Sequence, residues 1–326
     1  MNKTFFIGLF SLIASMSCIL GSCSSAQATG SSRLASKQVS TGNFTKIDVS
    51  NAIDVYFTPK SSGKPDVTVK APEDILPLIS VTVENETLKI RLKKSQKKSI
   101  NMRGTAVYVT AANVNGFKTS ASSDIFISGN LSHGSVINLL ASSSGDIFTK
   151  DLKAPVINMT SGSSSDIKAG NCDGNTLNIT GSSSGDIEVG RITVTTFNAT
   201  TSSSSDIAAL SLNSDVCNLV ASSSGEIAIK KSTHATTINI TASSTASVEV
   251  ASAATGTVNI VASSGADIEM KGTATHVNVS ASSGAEIDLE ELNTGFGTVK
   301  ASSGAEISVN NRKAYTISTS SGASVD

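Results

Sequence analysis

The sequence predicts an all-β protein, a right-handed parallel β-helix (solenoid) of about eleven coils of about 20 residues, with a β-rich N-terminal capping region. Three observations predict this fold. An acidic residue before an isoleucine recurs about every 20 residues from Thr119 onward, and apolar residues alternate with polar ones on both sides of a Ser-rich turn. Aromatic residues make up only 4% of the chain, so the core must be built from Val, Ile, Leu and Ala, which suits stacked strands.

The first residues are predicted to be an export signal rather than part of the fold. The apolar run Phe5–Leu20 has the length of a signal-peptide core and is short for a membrane span. Leu20-Gly21-Ser22-Cys23 resembles a lipobox, which predicts that residues 1–22 are removed and that Cys23 carries a lipid. Ala26-Gln27-Ala28 is an alternative cleavage site that would release a soluble protein.

The lipidated Cys23 and a Ser-rich tether are predicted to occupy residues 23–40. The chain is therefore expected to be an exported outer-membrane lipoprotein, facing either the periplasm or the cell surface. The formal net charge is −1, so composition indicates no nucleic-acid partner.

Residues 41–118 form the predicted N-terminal β region. Phe44–Val49, Ile53–Phe57, Val67–Val69 and Leu88–Leu92 are strand-like, and Asp74–Leu78 is expected to make one helical turn. We expect these strands to cap and begin the solenoid, whose repeats occupy residues 119–326.

Each repeat has the same pattern. A first alternating segment is followed by a turn such as Ser182-Ser183-Ser184-Gly185 and then by a second segment, Asp186-Ile187-Glu188-Val189. Alternation of period two predicts that Ile187 and Val189 point inward, whereas Asp186 and Glu188 point outward. One coil cannot bury its own apolar face, but its neighbours above and below can.

The acidic residue of each repeat is predicted to form a column along the solenoid. Like charges about 5 Å apart repel, so the column needs hydrogen-bond donors, solvent screening or bound cations such as Ca²⁺. A structural ladder and a cation site both remain open, and no other metal or cofactor is indicated. The column consists of Asp124, Asp146, Asp166, Asp186, Asp206, Glu226, Asp267, Glu286 and Glu306.

Two further columns are predicted to be hydrogen-bonded ladders of identical side chains. A serine lies three residues before the acidic position in nearly every repeat, from Ser143 to Ser321. An asparagine recurs at Asn138, Asn158, Asn178, Asn198, Asn218, Asn239, Asn259 and Asn278.

No pattern in the sequence predicts catalysis. Gly181-Ser182-Ser183-Ser184-Gly185 matches the G-x-S-x-G of a hydrolase nucleophile elbow, but it is one of many Ser-rich turns and lacks the required strand–turn–helix context. His133, His234 and His276 are too scattered to predict a metal site. The chain is therefore expected not to be an enzyme.

Two cysteines remain besides Cys18 of the signal peptide and the lipidated Cys23. Cys172 and Cys217 lie two coils apart and on different strands of the predicted register, which is too far for a disulfide. Cys217 lies in an apolar column and is expected to be a small core residue.

The N-terminal motifs resemble the head GIN domain family of putative auto-transporter adhesins, common in Bacteroidetes-type Gram-negative bacteria. The resemblance depends on Phe44-x-x-Ile47-x-Val49, on Ile53-Asp54-Val55, on the pair of strands from Val81 to Ile90, and on Val107-Tyr108-Val109 before Ser-Gly-Asp-Ile-like turns. It implies an exported β-helical protein of adhesin type and supplies no catalytic residues.

These observations favour a non-catalytic, adhesin-like scaffold of the cell envelope that binds glycans, host matrix or other surface components. A structural envelope protein without an external ligand is the alternative, and a polysaccharide-active enzyme is a third. Because the repeat still runs at Ser320–Asp326, we also expect the last coil to be covered by a second copy of the chain or by a partner, most simply in a weak end-to-end homodimer.

Overall fold

The computed structural model describes residues 33–93 and 100–326. These residues belong to one compact unit, Arg33–Asp326. The described residues form strands and two short 3-10 helices, Leu76–Leu78 and Arg312–Ala314. The first of these lies within the segment predicted to make a helical turn. The predicted signal peptide, the lipidation residue Cys23 and the start of the tether lie outside the described residues.

The strands of the N-terminal region are β1 (Leu34–Gln38), β2 (Lys46–Val49), β3 (Asp54–Pro59), β4 (Asp66–Pro72), β5 (Ile79–Glu84), β6 (Thr87–Leu92), β7 (Ala106–Ala111) and β8 (Gly116–Thr119). The next strands are β9 (Ile125–Ile127), β10 (Leu131–Ser132), β11 (Val136–Ser142), β12 (Ile147–Phe148), β13 (Leu152–Gly162), β14 (Asp166–Ala169), β15 (Cys172–Ser182), β16 (Asp186–Thr193) and β17 (Thr196–Thr201). The last strands are β18 (Asp206–Ala221), β19 (Glu226–Ser243), β20 (Ser247–Ser263), β21 (Asp267–Ala281), β22 (Glu286–Leu289), β23 (Leu292–Ala301), β24 (Glu306–Val309), β25 (Tyr315–Thr319) and β26 (Ser324–Val325).

Parallel pairing between successive coils stacks these strands into walls. One wall runs from β2 through β8, β11, β13, β15 and β17, and we call it the asparagine wall because it carries the asparagine column. A second wall runs from β3 through β9, β12, β14 and β16, and we call it the acidic wall. Each of the long strands β18 to β21 contributes to both walls, and from β22 onward the two walls again have separate strands.

The predicted all-β solenoid is confirmed, with about ten turns. The sequence predicted about eleven coils because the repeat position of the acidic residue occurs eleven times from Asp124 to Ser324, with Ser247 and Ser324 in place of an acid. Eleven such positions enclose ten complete turns.

The N-terminal strands continue the same walls. β3 pairs in parallel with both β7 and β9, and β2 pairs in parallel with both β6 and β8. Antiparallel strands then end each wall. In the asparagine wall β5 pairs with β6, and in the acidic wall β4 pairs with β7 and β1 pairs with β4. Antiparallel pairing satisfies backbone groups that an open parallel edge would leave unpaired.

Part of the predicted tether of residues 23–40 is a strand. Leu34–Gln38 pairs antiparallel with Pro72–Thr68 over five residues. A short polar segment shows no periodicity of its own, and its conformation is decided by the free edge of β4 beside it.

In the core, each inward-pointing side chain packs against the equivalent side chains of the neighbouring coils. Ile187 is 1% exposed and Val189 is buried, while Glu188 between them is exposed, as the alternation predicted. The isoleucine that follows the acidic position is buried in the coils above and below as well, for example Ile167 and Ile207. Each coil therefore buries its apolar face against its neighbours.

The Ser-rich turns bond to one another through the backbone. Ser183 and Ser184 both have positive φ, 50° and 60°, a conformation that disfavours residues other than glycine. The backbone N–H of Ser184 donates to the carbonyl of Ser203 at 3.1 Å, and that of Ser164 donates to the carbonyl of Ser183 at the same distance. These inter-coil bonds hold the turns in the left-handed region, and the serine ladder is thus mainly a backbone ladder rather than the predicted hydroxyl ladder.

The two described cysteines are buried free thiols. Cys172 lies between Leu152 and Ile192 in one column, whereas Cys217 lies between Phe197 and Ile238 in another. Burial raises the pKa of each thiol to about 12. Both cysteines therefore act as small core residues.

Candidate functional site

The predicted acidic residues form one column on the outer face of the acidic wall, with Ser247 in place of an acid between Glu226 and Asp267. The backbone N–H of Asp146 donates to Oδ1 of Asp124 at 3.0 Å, and that of Asp166 donates to Oδ1 of Asp146 at 2.8 Å. The N–H of Asp206 donates in the same way to Asp186 at 2.9 Å. Strand pairing places the other members in register, and the full set is Asp124, Asp146, Asp166, Asp186, Asp206, Glu226, Asp267, Glu286 and Glu306.

The column begins one residue earlier than the repeat suggested, at Asp54. The backbone N–H of Asp124 donates to Oδ1 of Asp54 at 3.2 Å, although 70 residues separate the two. Asp54 was not among the site residues predicted from the sequence. The pattern Ile53-Asp54-Val55, in which an acid precedes an inward β-branched residue, was the signal that could have found it.

Burial raises the pKa of several carboxyls in this column, since it disfavours the charged form. For Asp206 the pKa rises to about 6, with the neighbouring Asp186 and Glu226 adding to the effect of burial. The direction is the same for Asp54, Asp124, Asp166 and Asp267. Proton uptake and backbone donors can thus relieve the repulsion within the column.

Cation binding by this column was the alternative left open by the sequence. Within residues 33–93 and 100–326, no group of three or more His, Cys, Asp or Glu side chains is placed to hold a metal ion. Ca²⁺ takes six to eight oxygen ligands, whereas this column supplies one carboxylate per coil. The three histidines do not converge on a site, and His276 instead contacts the ring of Phe296.

Four aromatic rings stack beside the acidic column. Tyr56, Phe126 and Phe148 each follow an acidic residue by two positions, so that they point outward on the same wall. The ring centroids of Tyr56 and Tyr108 are 5.2 Å apart, those of Tyr56 and Phe126 are 5.0 Å apart, and those of Phe126 and Phe148 are 5.1 Å apart. The planes are within 15° of parallel, so the four rings form one stack.

The two tyrosines at the N-terminal end of this stack are open to solvent. Tyr56 is 40% exposed and Tyr108 is 44% exposed. Large rings of soluble proteins are usually more buried, and an exposed aromatic cluster indicates a contact surface. Neither tyrosine was among the site residues predicted from the sequence.

A groove of about 550 Å³ lies over these tyrosines. The acids Asp54 and Asp124 and the rings of Tyr56 and Tyr108 line it together with the segment Met102–Ala106 and Lys70. Its volume is within the range of small-ligand sites. We call it the tyrosine groove.

Strand register explains how the groove forms. Lys70 of β4 lies opposite Ala106 of β7, and Ala106 in turn lies opposite Asp54 of β3. The small Ala106 leaves a hollow between a cation and a carboxylate, while Tyr108, two residues further along β7, supplies the ring face. The groove therefore offers hydrogen-bond donors, acceptors and an aromatic surface within one site.

The G-x-S-x-G match does not form a nucleophile elbow. Ser183 is an exposed turn residue, and no α-helix follows it in the described part of the chain. Gly181 and Gly185 occupy inward turn positions where space is absent: a Cβ on Gly185 would lie 2.5 Å from the backbone nitrogen of Gly162. The two glycines are explained by packing.

The fold and the groove define a class, that of a repetitive β-solenoid with a polar and aromatic surface site. The chain belongs to the family described as putative auto-transporter adhesin, head GIN domain, whose sequence model matches residues 43–229 and 215–326. The resemblance found in the sequence is thereby confirmed. Membership indicates a surface or exported protein with an adhesin-like role.

Solved structures similar to this chain come from Bacteroides and Parabacteroides. They include a putative adhesin from Bacteroides fragilis NCTC 9343 (16% identity, 90% of this chain and 97% of that one, TM-score 0.39). A putative lipid binding protein from Parabacteroides distasonis ATCC 8503 has 15% identity over 91% of this chain and 97% of that one, with a TM-score of 0.42. A putative adhesin from Parabacteroides merdae ATCC 43184 has 15% identity over 91% and 96%, with a TM-score of 0.39.

No curated protein matches the sequence. Among the described residues, no helix has the length and apolar character needed to cross a membrane.

Proposed function

We propose that this protein is a non-catalytic, adhesin-like scaffold of the cell envelope that binds glycan through the tyrosine groove. The observation that carries the proposal is the exposed pair of stacked rings, Tyr56 and Tyr108, beside the half-buried carboxylates of Asp54 and Asp124. Solvent-exposed tyrosines in a polar groove are not needed in a structural protein without an external ligand.

The chemistry of the groove suits a saccharide. The apolar C–H face of a sugar ring packs against an aromatic face, while its hydroxyls need both donors and acceptors. Carboxylates of Asp54 and Asp124 accept hydrogen bonds, and Lys70 and Arg103 at the rim donate them. Charge-assisted hydrogen bonds of this kind are the stronger ones.

Replacing Tyr108 with Ala tests the proposal. We expect the wild-type chain to bind members of a glycan array and Tyr108→Ala to bind them roughly 2- to 10-fold more weakly, since an aromatic stack contributes about 0.5–1.5 kcal/mol. Phe296→Ala is the matched control, because Phe296 is 57% exposed but does not line the groove. Thermal unfolding of each variant checks that its fold is retained.

Three results would contradict the proposal. If the wild type binds no glycan on the array, the structural alternative is favoured. If Phe296→Ala weakens binding as much as Tyr108→Ala, the groove is not the site. Release of reducing sugar from a bound polysaccharide would indicate the enzymatic alternative.

In the same proposal, Cys23 anchors the scaffold to the outer membrane through a lipid. The support is the sequence Leu20-Gly21-Ser22-Cys23, which lies outside the described residues. We expect Cys23→Ala to move the protein from the membrane fraction to the soluble fraction of the cells. A mature chain that begins at Thr29 would instead indicate cleavage after Ala26-Gln27-Ala28 and no lipid.

A further inference from the structure

The asparagine wall presents a regular outer face between Val136 and Ser282. Each of the eight coils in this range contributes four outward-pointing residues. In the third coil these residues are Thr176, Asn178, Thr180 and Ser182. Most of these positions carry small or β-branched side chains. We call this surface the asparagine face.

The asparagine column makes the face rigid. Nδ2 of each asparagine donates to Oδ1 of the asparagine in the preceding coil, at 2.8 Å from Asn158 to Asn218 and at 3.0 Å between Asn278 and Asn259. Each amide is therefore held in one orientation by its neighbours. A surface held in this way loses little conformational entropy when a partner covers it.

Charged side chains are absent from the asparagine face. The outward positions of its eight coils hold no Asp, Glu, Lys or Arg, and Lys118 and Lys300 stand at its two ends. The acidic wall, by contrast, carries a carboxylate in most coils. Two molecules placed with their acidic walls together would repel, whereas two asparagine faces placed together would not.

One outward column of the face is exposed along its whole length and is partly apolar. It contains Leu140, Val220 and Val261, which are 37%, 40% and 52% exposed. Its other members, Thr160, Thr180, Thr200, Thr241 and Ser280, are also exposed, and all except Ser280 present a methyl group to solvent.

We propose that the asparagine face is an interaction surface that binds the same face of a second copy of this chain. A second copy has the same repeat, so its ridges and grooves, spaced about 4.8 Å apart, match at every coil. Eight coils span about 34 Å, and four outward columns span about 20 Å, giving roughly 700 Å² per partner. Stable interfaces bury about 800 Å² per partner, so this area is sufficient for a modest dimer.

The pairing is expected to be two-fold and antiparallel, because like faces associate by a closed symmetry. Val220 lies in the fifth of the eight coils, near the middle of the face. In a two-fold arrangement, residues near the middle lie close to their own symmetry mates. A charge introduced at Val220 thus meets an identical charge across the interface.

Sedimentation equilibrium of the compact unit Arg33–Asp326, at protein concentrations from below 1 µM to about 100 µM, tests the proposal. We expect the wild type to dimerise and Val220→Lys to weaken the dimer at least about 10-fold. Ala208→Lys is the matched control, because Ala208 points outward on the acidic wall of the same strand. Mixing Val220→Lys with Val220→Glu should restore association as a heterodimer, which a mere loss of folding could not do.

Other outcomes overturn the proposal. A wild-type chain that stays monomeric at about 100 µM excludes self-association of this strength. A dimer that survives Val220→Lys, or that is not restored by the charge pair, has its interface elsewhere, as in the end-to-end dimer predicted from the sequence. If Val220→Lys abolishes binding to an insoluble polysaccharide while the wild type remains monomeric, the face binds a flat polymer instead.

Discussion

Ile187→Asp is expected to unfold the coils around it. Ile187 is 1% exposed and lies in a dry column between Ile167 and Ile207, where an introduced carboxylate finds no partner. Burying an unpaired charge in this way costs at least about 4 kcal/mol, which is a large part of the stability of most domains. Chemical denaturation of purified protein, or loss of soluble expression, measures the effect.

The neighbouring residue is the control. Glu188 is exposed and points outward beside Lys168 of the preceding coil. Glu188→Lys should therefore cost less than about 1 kcal/mol, mainly through repulsion between the two lysines in water. Similar losses at the two positions would show that the strand faces the other way.

The protein is expected to become more stable as the pH falls from about 7.5 to 5. Burial holds the pKa of Asp54, Asp124, Asp166, Asp206 and Asp267 above the ordinary value. A carboxyl whose pKa is higher in the folded state binds more protons when folded than when unfolded. Stability therefore rises as the pH falls through the folded pKa, about 6 for Asp206, and levels off near the ordinary value of 3.8.

Asp206→Asn should remove part of this dependence. The amide keeps the shape of the carboxyl without its charge, so we expect Tm at pH 7.5 to rise by about 2 °C. The expected rise is small because Asp206 is only half-buried and solvent screens its charge. Asp215→Asn is the control, because Asp215 is exposed and lies outside the column. A Tm that falls between pH 7.5 and 5, or an Asp206→Asn variant less stable than Asp215→Asn at pH 7.5, would contradict the expectation.

The repeats could be predicted from sequence because their contacts are periodic. Asn158 bonds to Asn138 and Asn178 for the same reason that Ile167 packs on Ile147 and Ile187: residues about 20 apart occupy equal positions in successive coils. Alternation of period two then assigns each residue to the inside or the outside. A single sequence contains both signals.

The tyrosine groove could not be predicted in this way. Asp54 and Asp124 are 70 residues apart, and Tyr108 reaches Tyr56 through the parallel pairing of β7 with β3. The N-terminal region has no repeat, so the spacing of its residues does not predict which strands pair with each other. The strand nature of Leu34–Gln38 was missed for a similar reason, since it depends on the free edge of β4.

By itself, the sequence determined that the chain forms a β-solenoid, which side of each repeated strand is buried, and which columns carry acids and asparagines. These properties follow from the local alternation of apolar and polar residues. They follow also from a repeat that stacks equivalent residues of successive coils on one another. Only the tertiary structure decided that the irregular N-terminal strands continue the acidic wall and bring Tyr108 and Tyr56 into the groove beside Asp54. It also decided that the serine turns bond through their backbones, because a side-chain pattern does not show which backbone groups the stacked turns place within reach.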